Sequence, residues 1–183
     1  MKKALLLIFV LGLLQCSYSQ IYMGKQTTIH FLSKSELEDI EATNKMAQTA
    51  MNAATGKVQV KVRIKAFKFK SAFMEEHFNE NYMESPKYPK SGFKGKITNF
   101  DQINFSADGS YPAEVSGKLT IHGVTRDIAA KGTIVVKDGK FSVQSAFIVK
   151  PEDYNIEIPK LVRDNIAKEI KVSVDCRYEP LTK

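Results

Sequence analysis

An all-β domain, either a closed barrel or a sandwich, is what this sequence predicts, and three observations predict it. Apolar and polar residues alternate with period two along most of the chain, which turns one face of each strand inward and the other to water. Turn dipeptides separate the alternating runs. The 183 residues, 43% of them apolar, suffice for one domain with a sizeable core and are too apolar for a disordered chain.

The elements follow in order. Met1-Lys2-Lys3, an apolar run over residues 4–14 and the small residues Ser17 and Ser19 form the basic start, apolar stretch and cleavage site of an export signal. The run is shorter than the roughly 20 residues a spanning helix needs, and no second candidate exists, so no transmembrane segment is expected. Cleavage between Ser19 and Gln20 makes residues 1–19 a signal peptide and residues 20–183 a single exported domain. A cut before Cys16 would instead make a lipoprotein, but Gln15 is not the small residue such signals carry. Cleavage leaves one cysteine, Cys176, and therefore no internal disulfide. Cys176 alternates in phase with Ile170, Val172, Val174 and Tyr178 and reads as a small buried hydrophobe.

Weaker strands are predicted over residues 27–33, 37–46 and 93–99. Val58, Val60, Val62 and Ile64 alternate with Lys57, Gln59, Lys61, Arg63 and Lys65. Phe67 and Phe69 are out of phase with that set, so a bulge or a departure from the sheet is expected at Ala66. Over residues 71–84, Phe73, His77, Phe78 and Tyr82 recur at helical spacing. Ser71 suits the N-cap, Glu75 and Glu76 suit the first turn, and Ser85-Pro86 stops the helix. Further alternating sets run through Ala113–Ile121, Ile128–Ile134, Phe141–Val149 and Ile170–Tyr178. Asp138-Gly139 and Asp108-Gly109 read as hairpin turns, and His122-Gly123 as a tight connection. A short helical turn is expected near residues 160–167.

Inward positions are almost free of charge, and several are small: Gly95, Ala113, Gly117, Ala130, Gly132 and Ser145. Small inward residues leave room for one apolar ligand, or facing Phe and Tyr side chains fill the space; periodicity leaves both open.

Catalytic and metal chemistry find no pattern. His30, His77 and His122 are not at metal-ligand spacing, and no cysteine pair exists, so no metal or cofactor is expected. His30 and His122 fall on the outward phase, and His77 shares a helical face with Phe73. There is no Gly-x-Ser-x-Gly elbow and no glycine-rich phosphate loop. The carboxylates at residues 36–41 and 75–76 read as a solvated stretch and a helix start. No enzyme is predicted. Lys+Arg is 27 against 20 Asp+Glu, a formal charge of +7. Lys65, Lys68 and Lys70 interleave with Phe67 and Phe69, a pattern compatible with nucleic acid, but export argues against that partner. The other lysines read as a solvated face without clustering, with weak attraction to anionic membrane surfaces as their functional reading.

Three stretches resemble the YceI-like family of lipid- or polyisoprenoid-binding proteins. His77-Phe78-Asn79-Glu80-Asn81-Tyr82, continuing through Lys87-Tyr88-Pro89 to Phe93, resembles that family's helix and its step into a strand. Gly117-Lys118-Leu119-Thr120-Ile121-His122-Gly123-Val124-Thr125-Arg126 is similar to its most specific motif. Phe147 through Tyr154-Asn155-Ile156 resembles a late element, whereas residues 37–55 depart from the early signature. The resemblance implies an eight-stranded antiparallel, lipocalin-like barrel with one inserted α-helix near residues 71–85. It also implies a periplasmic, non-catalytic carrier of a long apolar lipid such as a polyisoprenoid or isoprenoid quinone. Ile29, Phe31, Val60, Val62, Phe93, Ile97, Leu119, Ile134, Phe147, Tyr154 and Ile156 would then line the tunnel, and Phe73, Phe78 and Tyr82 would close its mouth. The alternative is an exported stress or interaction protein whose barrel is filled by its own side chains.

Overall fold

The computed structural model describes residues 21–181; the predicted signal over residues 1–19 and Cys16 lie outside them. Ten strands follow one another: β1 Ile21–Lys34, β2 Asp39–Asn44, β3 Gln48–Asn52, β4 Lys57–Arg63, β5 Phe67–Phe69, β6 Lys90–Ile97, β7 Gly109–Ile121, β8 Val124–Lys137, β9 Lys140–Val149 and β10 Ile170–Pro180. They pair antiparallel in the order β10-β9-β8-β7-β6-β4-β3-β1-β2-β5, and β10 also pairs with β1. That last pairing closes the sheet into a barrel and leaves no open edge around the ring.

Ten strands make eight staves because two staves are interrupted. β2 and β3 both pair with β1, Ile29 opposite Asn44 and Ile21 opposite Asn52, so they are one stave broken at residues 45–47. β4 pairs with β3, and β5 with β2, on either side of a 3-10 turn at Ile64–Ala66. This turn is the interruption that the phase change at Ala66 predicts. It lets Val62, Ile64 and Phe67 all turn inward, where each is buried. β3 is not predicted: with only Thr49 and Met51 turned in, its alternation is too short to stand out.

The hairpins show which turn dipeptides act as turns. β7 and β8 join through His122-Gly123 at φ 50° and 76°, and β8 and β9 through Asp138-Gly139 at φ 51° and 69°. Both are the left-handed two-residue turns that suit the twist of paired strands. Asp108-Gly109 is not one. Gly109 opens β7, and the connection from β6 is a longer loop over residues 98–108 with a 3-10 turn at Phe100–Gln102. Asp108 serves that loop differently: its Oδ1 accepts the Asp138 N–H at 3.0 Å.

The helical insert starts as predicted. Ser71 accepts the Met74 N–H, and α1 runs Ala72–His77 before widening into a π-helical turn over Phe78–Tyr82. Glu75 in the first turn pairs with Lys68 of β5 at 2.6 Å, and Lys68 lowers its pKa from the ordinary carboxylate value. The turn near residue 160 forms as a 3-10 segment, Lys160–Asn165. No helix among the described residues is long and apolar enough to cross a membrane.

Candidate functional site

The inward phase of the staves encloses a cavity of about 600 Å³. Its wall is built by period two. Ile29 and Phe31 come from β1, Val60 and Val62 from β4, Phe93 and Ile97 from β6, Leu119 from β7, Ile134 from β8 and Phe147 from β9. α1 and the π-helical turn add Phe73, Phe78 and Tyr82, and the segment before Lys160 adds Ile156. The structure thus brings together all but one of the predicted residues.

Tyr154 is the exception. The strand phase ends at Val149, and a 3-10 turn over Pro151–Tyr154 rotates the ring away from the cavity. Tyr154 is buried with Val149 and Leu119, and burial raises the pKa of its hydroxyl. Gly95 and Gly117 also depart from their predicted role of leaving space. They face each other across β6 and β7, and a Cβ on Gly95 would meet the Phe93 ring at 2.4 Å. Their missing side chains seat a ring and a close strand approach. The room comes from Ala113, Ala130, Gly132 and Ser145, which do line the cavity.

The helix is held by aromatic packing. Phe78 stands 5.5 Å from Phe31, 5.7 Å from Phe67 and 5.0 Å from Phe69 between ring centroids. Separations of 4.5–7 Å in tilted or offset arrangements are favourable. Phe73 is different: it lines the cavity yet is 67% exposed, its ring 4.2 Å from that of His77. His77 does hydrogen-bond at the mouth, where the Asn81 side-chain amide donates to its Nδ1 at 2.9 Å.

Polar groups reach the cavity at its two ends. At the mouth, Ser33 Oγ accepts the Ala167 N–H at 2.8 Å, and Glu38 faces Asn165 at 3.5 Å. These contacts tie the Lys160–Asn165 segment across the opening. At the floor, Cys176 Sγ lies 3.1 Å from Oγ1 of both Thr27 and Thr49. Cys176 is buried in its predicted phase, but in a polar niche. Beside it Tyr178 is buried too, and burial, followed by the nearby thiol, pushes its phenol far above the ordinary range.

His122 corrects its predicted outward place. It is buried in the β7–β8 turn, where the left-handed φ swings the ring off the strand phase. Its Nδ1 donates to the Tyr154 carbonyl at 3.2 Å, and its Nε2 meets Glu84 Oε2 at 2.8 Å. The Tyr88 ring covers it edge-on at 4.4 Å between centroids. A Cβ on Gly123 would strike that ring at 2.7 Å. Arg126 Nε donates to the Asp153 carbonyl at 2.9 Å. Glu84 and Tyr88, His122 and Arg126, and Asp153 and Tyr154 therefore meet at one joint, a contact among three separate sequence stretches. The His-Gly dipeptide was the available signal, since a histidine at positive φ needs compensating contacts. His30 does face outward, against Glu41 at 3.2 Å. Among the described residues no three His, Cys, Asp or Glu side chains group as metal ligands.

With this geometry in place, known proteins give a consistent match. The family model described as a YceI-like domain matches residues 19–178. A polyisoprenoid binding domain from Saccharophagus degradans, implicated in plant cell wall breakdown, superposes with a TM-score of 0.76. It is 14% identical, over 88% of this chain and 98% of that one. BcnA of Burkholderia cenocepacia superposes at 0.68 and 17% identity, over 82% and 95% of the two chains. A YceI protein of Campylobacter jejuni gives 0.55 at 19%, over 73% and 80%. At such identities these likenesses establish the closed eight-stranded barrel. No curated protein matches the sequence.

Proposed function

The chain belongs to the YceI-like domain family, and from that premise we propose that it is an exported, non-catalytic carrier holding one long apolar lipid, a polyisoprenoid, in its barrel. The observation that carries the reading is the cavity: about 600 Å³, walled by aliphatic and aromatic side chains from floor to mouth. That volume falls within the roughly 300–1,000 Å³ of sites that enclose a single small ligand. An apolar chain in it is held by burial, worth about 25 cal/mol per Å². An isoprenoid quinone is a lipid of this class. The neighbour described as polyisoprenoid binding supports the choice of lipid.

The non-catalytic part of the proposal follows the polar groups. Ser33 and Glu38 each engage the stretch over residues 160–167 across the rim and serve as struts, and His77 is held by Asn81 within the helical insert. Export rests on the basic start and apolar run of residues 1–19, and predicts a purified protein beginning at Gln20.

The test is to express the full chain, purify it, extract it with organic solvent and identify the extract by mass spectrometry. One apolar species at near-stoichiometric yield is the expected result. An empty extract, repeated after offering polyprenyl lipids and quinones, overturns the proposal. Leu119→Arg places a cation on the wall of the cavity and is expected to abolish loading while circular dichroism stays native.

A further inference from the structure

The sheet register brings together lysines that lie scattered along the sequence. β4 turns Val58, Val60 and Val62 to the cavity, so Lys57, Lys61 and Arg63 point outward, and β6 likewise exposes Lys90, Lys94 and Lys96. In the sheet Lys57 stands opposite Lys96, Arg63 opposite Lys90, and Lys94 opposite Lys118 of β7. Neighbouring strands are about 5 Å apart, so these are direct like-charge pairs, which destabilise a sheet. Among the described residues, none of the six on β4 and β6 has a carboxylate within 4.0 Å, and only Lys118 does, on Asp127 at the edge of the wall. β7 also turns one carboxylate outward, Glu114, which pairs with Lys131 of β8 at 3.5 Å, and on the other side β3 presents Gln48, Ala50 and Asn52, with no acid.

We propose that this outer wall of β4, β6 and β7 is the surface by which the protein rests on an anionic lipid bilayer. The wall supplies charge complementarity over most of the barrel's length. Six of its seven cations are lysine, a hydrated point charge suited to diffuse attraction; arginine's planar fork is the group for bidentate phosphate recognition. The large exposed apolar residues, Phe73 and Leu161 among them, lie outside these three strands. The wall therefore offers no aromatic platform for nucleobases and no wedge for insertion. Attraction through it is electrostatic and screened by salt.

This inference stands on the wall and not on what fills the cavity, and the experiment keeps the two apart. The purified full chain is sedimented with vesicles of phosphatidylcholine alone or with about a quarter phosphatidylglycerol, at low and at about 0.15 M salt. Binding is expected only with phosphatidylglycerol, and weaker at the higher salt. Lys94→Glu with Lys96→Glu is expected to lose at least about 25-fold, since each cation near an anionic surface contributes roughly fivefold and the introduced carboxylates are repelled. Lys171→Glu with Arg177→Glu, the same charge change on β10 across the barrel, is expected to keep most binding. Melting curves and lipid loading of the wall variant should match the parent, and Leu119→Arg should still bind vesicles. Three results would each overturn the proposal: equal binding to neutral vesicles, equal loss in the β10 variant, or tighter binding to heparin at matched charge and salt, which would give the wall to an anionic polymer.

Discussion

The floor and the mouth of the barrel are made by the same alternation, yet one is solid and the other hollow. At the floor Met51, Ile97, Ile134, Val136, Phe141, Cys176 and Tyr178 form a single buried cluster. Phe141 stacks on Tyr178 at 4.9 Å and tilts against Tyr22 at 4.8 Å and Phe105 at 5.2 Å. At the mouth Leu37, Phe73 and Leu161 are 69%, 67% and 95% exposed. The difference lies in what covers each end. Rings contributed by β1, β9, β10 and the loop over residues 98–108 interlock at the floor. The mouth is bridged by a short helix that packs through the one ring of Phe78 and by a 3-10 segment held by a few hydrogen bonds. Stability therefore concentrates at one end and ligand access at the other, as expected when mobile elements come from the less tightly packed part of a fold.

Substitutions can break that contrast. The largest effect should come from Ile134→Ala, a floor residue only 1% exposed; a loss of about 2–5 kcal/mol is expected in denaturant unfolding, with no change in m-value. The histidine joint is the test of the rule, because it is at the mouth yet buried. Glu84→Ala leaves His122 without its carboxylate partner and should cost about 1–2 kcal/mol; a cost near zero would return the joint to the loose end. The floor should also show itself in alkali. Tyr178 stays protonated in the native state where the unfolded chain's phenol, with its ordinary pKa near 10, has ionised. Its stabilisation is thus present below about pH 10 and declines as pH rises further, by up to about 1.4 kcal/mol per pH unit. Tyr178→Phe should flatten that decline in a pH series of melts. The smallest effect on stability should be that of Phe73→Ala, within about 0.5 kcal/mol. Release of a bound apolar dye should nevertheless become several-fold faster, measured by stopped flow.

The alternating strands, the N-capped helix at Ser71 and the break at Ala66 were legible in the sequence because each is a local pattern. So was most of the cavity wall, since period two says which side chains share a face. What escaped depends on register and turns. The wall of lysines exists only because Lys57 meets Lys96 and Lys94 meets Lys118 across strands far apart in sequence. His122 stands one residue past the end of β7, and Tyr154 closes the 3-10 turn that follows β9; in each place a turn redirects the side chain. Gly95 and Gly117 were read as space, and only the Phe93 ring shows what occupies it.

The seam between β1 and β10 has a consequence in time. Thr27 and Cys176, opposite one another there, are 149 residues apart, and Ile21 accepts the Leu181 N–H at 2.8 Å. A chain emerging from its amino end can assemble the inner hairpins early, but its first strand must wait for its last. Until then a trough with two raw edges stands in place of a vessel, and such long-range pairings are slow to form. During that interval the barrel's interior lies open along its whole length, and the pairing of β1 with β10 is what shuts it.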